Sequence, residues 1–372
     1  MGAAWRPHLL ETRRGCLHIK MLLYQIAFSL LFEKRNRVAL QCLEQYGSAQ
    51  EAWKYLTEKG MGEAMQRAEK ELAFVEKHRI STYWCQDEGY PFRLRQCPDR
   101  PLLLFGKGNL RVNEGKMVSV VGTRNATDRG KELTRQLVLD LAQRVPNLTI
   151  ISGLAYGIDV AAHRAAIEAG IPTIVVPGHG LDRIYPALHR NVAVAALEHG
   201  GLLTEYVSGT RPDPWHFVAR DRIIAGLADT VVVVESKAKG GALITAQMAL
   251  DYDRELFACP GRPADEQSQG CNNLIRKQKA QLITCADDLI EAMDWAAAAA
   301  PVQTEIVEFS TTLTDVQRTL LDKLHEQEDG LHINMIVMET GMDYAQVANE
   351  LMMMEMEGLV KSLPGGMVRA VK

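Results

Sequence analysis

The sequence predicts an α/β fold: a mostly parallel sheet with helices on both faces, a small helical domain before it and a winged helix after it. Two observations carry this reading. Between residues 116 and 295, short apolar runs alternate with longer helix-like segments, which is the signature of βαβ units. From Leu313 onward, helix-like segments give way to two short strand-like runs around Pro364-Gly-Gly366. A length of 372 residues allows two or three domains.

Residues 1–20 look unlike the rest and are expected to form a disordered leader, with Met21 the natural start. Met21–Phe32 is apolar but too short to span a bilayer, and Glu33-Lys-Arg-Asn-Arg37 follows it where a signal peptide would need small residues. It reads as an amphipathic helix. Val38–Leu43 and Ala49–Tyr55 have helical spacing, with Gly47 as a break and Ser48 as a cap, so 21–75 is assigned to a helical domain. Residues 76–115 are punctuated by Gly89, Pro91, Pro98, Pro101, Gly106 and Gly108 and read as a connecting segment with one short strand, Leu102–Phe105.

The α/β region follows. Strands are expected at Met117–Val121, Leu148–Ile151, Thr173–Val176, Gly201–Thr204, Thr230–Val234 and Glu255–Ala258, with helices at 128–144, 157–170, 187–199, 215–227 and 242–252. The run Val231-Val-Val-Val234 suits a central strand buried on both faces. Residues 296–312 form an alanine-rich linker. In 313–372, helices are expected at Thr314–His325, Ile333–Thr340 and Asp343–Met356, then a hairpin. The third of these helices is acidic and rich in methionine (Glu350, Glu355, Met352 to Met354), which favours protein contact or core packing over reading DNA. Lys361, Arg369 and Lys372 leave a contact through the wing open.

The net charge of −4 excludes a uniformly basic coat but not a local basic groove. The 7 cysteines are odd in number and form no C-x-x-C pair, which argues against a zinc cage or a disulfide framework and for a reducing cytoplasm.

In open parallel sheets, ligands bind beyond the carboxyl ends of the strands. Gly122-Thr-Arg124 ends the first strand, where glycine, amides and a forked arginine suit a phosphate. Ser152-Gly153 opens a second turn, with Asp159 and His163 on the helix behind it. That histidine is expected to be packed and structural. A third loop holds Pro177-Gly-His-Gly180 and Asp182. Arg211 to Arg222 interleaves Arg211, Arg220 and Arg222 with Trp215, His216 and Phe217, which is what a single strand needs, although Trp215 and Phe217 are expected to be partly core. Lys237, Lys239, Gly240 and Gly241 follow the most buried strand. No Walker loop, G-x-G-x-x-G, nucleophile elbow or H-E-x-x-H is present.

Taken in order, these motifs resemble the DprA/Smf family: Gly122-Thr-Arg124, Ser152 to Asp159 with His163, Gly180-Leu-Asp182 with Tyr185-Pro186, Leu203-Thr-Glu205, Arg220 to Leu227, Gly240 to Ala246, Pro260-Gly261 and Asn273-Leu-Ile275. The resemblance implies an extended Rossmann-like domain that binds single-stranded DNA, forms a homodimer, displaces single-strand-binding protein and loads the RecA recombinase during natural transformation. It implies no catalytic step, cofactor, metal or membrane. It adds Thr245 and Asn273 to the contact set of Gly122, Thr123, Arg124, Ser152, Gly153, Phe217, Arg220, Arg222, Lys237, Lys239, Gly240 and Gly241. Three positions depart from the family pattern: Thr123 replaces serine, Asp221 replaces the asparagine of R-N-R, and Gly240 replaces a serine. An aspartate between two arginines weakens anion binding unless it pairs internally. The rival reading is a nucleotide phosphoribohydrolase, with Glu235 or Asp182 as its acid. A protein that senses a free nucleotide is a third.

Overall fold

The computed structural model describes residues 8–295, 313–325, 327, 330–356, 358–363 and 366–370. The chain divides into two units, 1–298 and 299–372. The expected linker at 296–312 and the tip of the hairpin at 364–365 lie outside the described residues.

The first unit opens with α1 (His8–Leu31), α2 (Asn36–Tyr46), α3 (Ala49–Tyr55) and α4 (Met61–His78). The backbone is already helical at His8, so most of the expected leader belongs to α1. Nothing between His8 and Met21 halts a helix whose apolar run lies just beyond. Ser48 caps α3 by accepting from Glu51 N at 3.2 Å. Next come β1 (Ser81–Trp84), α5 (Phe92–Arg95) and β2 (Leu103–Gly108). The segment 76–115 therefore supplies two strands of the main sheet rather than one isolated strand. A four-residue edge strand such as β1 is too short to declare itself by pattern.

The α/β part runs β3 (Lys116–Val121), α6 (Asp128–Arg144), β4 (Leu148–Ser152), α7 (Ile158–Glu168), β5 (Thr173–Val175), α8 (Arg190–His199) and β6 (Gly201–Thr204). It continues through α9 (Pro214–Leu227), β7 (Thr230–Val233), α10 (Ala242–Asp251), β8 (Glu255–Ala258), α11 (Gln269–Arg276), β9 (Gln281–Leu282) and α12 (Ala286–Ala292). The nine strands form one sheet in the order β1-β2-β6-β5-β4-β3-β7-β8-β9. Strands β3 to β9 are mutually parallel, while β1 and β2 are antiparallel additions at one edge.

Both faces are covered, and the period of two along each strand shows how. Met117, Val121, Val231 and Val233 point into a core shared with α1, α9 and α10. Val118, Val120, Val232 and Val234 point into a second core under α6, α7 and α12. Phe28 of α1 and Phe32, the residue after its end, pack 4.6 Å apart, centroid to centroid, inside the first core. The N-terminal helices thus share the sheet's core instead of forming a separate one. A carboxylate secures them to the sheet. Glu71 of α4 is 1% exposed. It accepts from Ser208 N at 3.0 and 2.9 Å and from Ser208 Oγ at 2.6 Å, beside Arg67.

The chain lays down β3, β4, β5 and β6 to one side, then returns to place β7 beside β3 and continues outward. Loops leaving β3 and β7 therefore diverge, and this reversal is where such sheets open a crevice. Among the described residues no helix is long and apolar enough to cross a membrane, no acid, histidine and cysteine cluster could hold a metal ion, and no cysteine is in a disulfide.

The second unit contains α13 (Asp315–His325), β10 (Leu331–His332), α14 (Ile333–Thr340), α15 (Tyr344–Met356), β11 (Val360–Leu363) and β12 (Met367–Ala370). Its sheet order is β10-β12-β11. Leu320, Leu324, Ile336, Val347, Leu351 and Met354 fill its core, giving a winged helix. Of the α15 methionines at 352 to 354, Met354 packs inward beside Val347 and Leu351, while Met352 and Met353 are exposed.

Candidate nucleic-acid interface

The crevice between β3 and β7 is filled by the chain itself. Thr123 N donates to Glu235 O at 2.8 Å, and Asn125 N to Thr123 Oγ1 at 3.2 Å. The Glu235 carboxylate, 8% exposed, accepts from Thr127 N at 2.9 Å and Thr127 Oγ1 at 2.6 Å, directly at the N-terminus of α6. Thr127 Oγ1 in turn caps Gly130 N at 3.0 Å. A Cβ at Gly130 would overlap that carboxylate, and one at Gly122 would overlap Ile158. Of the turn whose amides are expected to cradle a phosphate, Thr123 N is thus already taken within the chain. Gly122 is there for close packing, Thr123 ties two strand-end loops together, and the anion position at α6 is taken by an internal acid. Both candidate acids of the hydrolase reading accept hydrogen bonds within the chain, Glu235 from Thr127 and Asp182 from Arg183 and Gly209 N. Burial would raise the Asp182 carboxyl, but these hydrogen bonds keep it below the usual range.

What the turn offers is the Arg124 side chain. It is exposed, with Cζ 5.5 Å from the Phe217 ring centroid. Arg220 approaches the same ring at 6.0 Å, so two guanidinium groups lie near Phe217. Tyr185, 47% exposed, extends the aromatic surface with its ring 5.7 Å from Phe217. Arg220 itself is 3% exposed and tucked beneath Gly153, where any Cβ would overlap its guanidinium. Its Nε lies 3.3 Å from Asp221 Oδ1, and its Nη1 has no hydrogen-bond acceptor. Asp221 therefore pairs internally, as the anion site requires. Burial pushes its carboxyl up to about 6, with Arg220 pulling the other way. Thr245, 2% exposed, hydrogen-bonds Asp221. Asp159 completes the buried cluster: burial raises its carboxyl against the pull of Arg220.

Helix geometry explains which residues of α9 meet. Phe217, Arg220 and Asp221 are spaced i, i+3, i+4 and share one face, whereas Trp215, Val218, Ala219 and Arg222 share the other. Arg222 lies about 200° around the helix from Arg220. It pairs with Glu205 in a different cavity, its side chain 12% exposed. Arg222 is thus removed from the phosphate-contact set. Ser152 is removed as well, because it is fully buried and its Oγ donates to Val120 O at 2.7 Å. Trp215 departs from expectation in the opposite sense: it is 77% exposed and not core.

The loop after β7 forms a second basic element. Lys237 pairs with Glu266 at 3.0 Å, while Lys239 is exposed with no ion-pair partner among the described residues. Gly240 N closes the turn on Lys237 O at 3.0 Å, and Gly241 stands exposed at the start of α10. Asn273 sits on α11 in a separate patch with Gly261, Pro263 and Asn272. The histidines are structural. His163 is fully buried, its Nδ1 is 2.7 Å from Thr173 Oγ1, and burial lowers its imidazole to about 3. His179 lies against Gly180 O at 2.9 Å.

Residues 81–294 match the family of DNA recombination-mediator protein A, and residues 309–366 match the DprA winged helix domain. The chain belongs to the DprA/Smf family. It is 33% identical over 303 residues to protein Smf of Escherichia coli (strain K12), spanning 81% of this chain and 80% of that one. Over 223 residues it is 39% identical to the DNA processing protein DprA of Bacillus subtilis (strain 168), spanning 60% of this chain and 74% of the relative. The X-ray structure of DprA from Streptococcus pneumoniae superposes with a TM-score of 0.64 at 33% identity, over 72% of this chain and 97% of that one. DprA from Helicobacter pylori, whose structure is described for its single-stranded DNA binding mode, gives 0.53 at 30% identity, over 58% of this chain and 97% of that one. The family pattern draws attention to the arginines of α9 but does not separate Arg220 from Arg222. Helical spacing does. Tyr185, absent from the expected contact set, is the residue the structure adds beside Phe217, and its place next to Pro186 in the family motif was the available signal.

Proposed function

We propose that this chain binds single-stranded DNA without sequence preference and acts as a carrier rather than a catalyst. The observation that supports this most is the exposed Arg124 guanidinium over Phe217, with the buried Arg220 near the same ring. A cation beside an aromatic face suits a phosphate and its base together. Gly153 and the buried Thr245 support this face, the loop carrying Lys237, Lys239, Gly240 and Gly241 is assigned to the same DNA strand's path, and Asn273 to a separate patch on α11. In the fuller reading the bound strand is incoming DNA, protected during natural transformation, and the protein works as a homodimer that displaces single-strand-binding protein and loads RecA. Membership of the family supports that reading, as does the name of the Helicobacter pylori relative's structure.

Anisotropy with mixed-sequence oligonucleotides tests the site. Binding should prefer single over double strands, and its logarithm should fall against log salt with a slope of about −0.7 per phosphate contacted. Arg124→Ala should weaken every sequence alike and flatten the slope by about one such contact. Equal affinity of variant and parent across salt concentrations would remove Arg124 from the interface. Nucleoside monophosphates should release no base, and Glu235→Gln should lower thermal stability instead of abolishing a reaction. Base release lost in that variant would restore the hydrolase reading.

A further inference from the structure

Trp215 is 77% exposed, and its exposure is built in rather than left over. Pro214 starts α9, and Asp213 Oδ1 accepts from Trp215 N at 2.8 Å, so the backbone beneath the indole is fixed. The ring looks over a cavity of about 700 Å³ whose lining includes Lys34, Arg35, Val38, Val218 and Arg222. Rigid exposed indoles of this kind mark contact surfaces.

The rim indicates the chemistry of the occupant. Its acids are Glu205, Asp99 and Glu33. Glu205 is neutralised by Arg222, and Asp99 accepts from Tyr252 Oη at 2.6 Å. Its free cations sit together where α1 gives way to α2, Lys34 on the loop and Arg37 in the first turn of α2. Lys34 and Arg37 are exposed without ion-pair partners among the described residues, and Arg35 pairs with Glu58 at 3.4 Å and donates to Leu31 O at 3.0 Å; the exposed Glu33 carboxylate, likewise without an ion-pair partner among the described residues, offsets one of these cations. A cationic loop beside an exposed aromatic ring repeats, on the far face of α9, the pairing of Arg124 with Phe217. The two rings stand two residues apart at the same helix end.

We propose that a single strand bound at Arg124 and Phe217 continues over the N-terminal end of α9, stacks a base on Trp215 and lays its following phosphates on Lys34 and Arg37. The inference rests on the DNA-binding reading above and adds a second segment to the path. Its purpose is length: one ring and two guanidinium groups hold a few nucleotides, and the second segment selects strands long enough to cross the helix end.

Strand length separates the two claims. Full-length parent and variants are titrated by anisotropy with oligothymidylates of about six and about twenty nucleotides. Trp215→Ala should lose about tenfold in affinity for the longer strand and nothing for the shorter, with Trp215→Phe retaining most of the parent's affinity. The double variant Lys34→Ala/Arg37→Ala should flatten the salt slope by about 1.4, again only for the longer strand. Arg124→Ala should weaken both lengths. If the Trp215 and loop variants match the parent on both lengths while Arg124→Ala does not, the extended path is wrong and the primary site stands. Equal loss on both lengths also overturns it, since Trp215 would then belong to the first segment. Unchanged DNA binding together with loss of a labelled oligoglutamate peptide in the loop variant would assign the loop to an acidic protein partner instead. If Arg124→Ala weakens neither length, the primary reading itself fails.

Discussion

Gly153 and Arg220 show how closely this site is fitted. The guanidinium occupies the space where a side chain at residue 153 would start, so Gly153→Ala must push Arg220 out of its slot. The expected cost is about 1–3 kcal/mol by thermal denaturation, with weaker binding to single strands, because Arg220 would be displaced from beside the Phe217 ring. Asp221 sets a pH dependence whose sign follows from its position. Its folded carboxyl titrates at about 6, raised from 3.8 by burial. Below that pH it is neutral and Arg220 keeps its full charge for a phosphate. Above it, the carboxylate offsets Arg220. Affinity for single strands should therefore fall from pH 5.5 to pH 7.5, and Asp221→Asn should bind more tightly at pH 7.5 and lose much of that dependence. The stabilising contribution of the protonated group is complete below pH 3.8 and disappears as pH rises through about 6, so the variant's gain in urea melts should appear only at the higher pH. A parent whose affinity is flat across this range would remove Asp221 from the interface. The sequence made Arg124, Phe217 and Arg220 legible, because cations next to an aromatic ring have few other uses. It concealed the roles of Ser152 and Gly122, since small residues serve packing and ligand approach equally well. Only the neighbours Val120 and Ile158 decide between them.

At the scale of elements, the seven-residue spacing of Trp215 and Arg222 defines the second face of α9 as surely as Phe217 and Arg220 define the first. Reading α9 as one basic, aromatic stretch merged two sites that the helix keeps apart. The contact between α4 and the loop before α9 can be tested by itself. Glu71→Ala removes an acceptor from three donors of Ser208 and Arg67 in a buried place. It should cost about 2–4 kcal/mol and speed hydrogen exchange at Ser208 N; exchange as slow as in the parent would mean the loop is held by other contacts. The long strands and helices of the sheet were legible within a residue or two, because buried parallel strands are continuous apolar runs. β9 and β10 have two residues each and exist only through their partners, so no pattern along the chain announces them.

For the molecule as a whole, the expectation of an independent N-terminal domain proves too modular. Phe28 and Phe32 share a core with Leu103, Leu203 and Val231. A chain lacking residues 1–79 should therefore expose apolar surface, aggregate or melt well below the parent. A chain ending at residue 298, where the first unit closes, should unfold in a single transition and keep its affinity for short single strands. Calorimetry and anisotropy on the two truncations check both outcomes, and an unchanged melt for the first would restore the modular view. The winged helix was legible because three capped helices and a hairpin repeat a familiar order. The shared core was not, because the partner of an apolar helix face is never written in its own sequence.

The Glu235 carboxylate at the start of α6 has one more consequence. Open sheets of this layout usually bind a ligand at the strand reversal. Here the chain places its own carboxylate there, at the start of α6, so the shape of the loop that carries Arg124 is held by an internal anion.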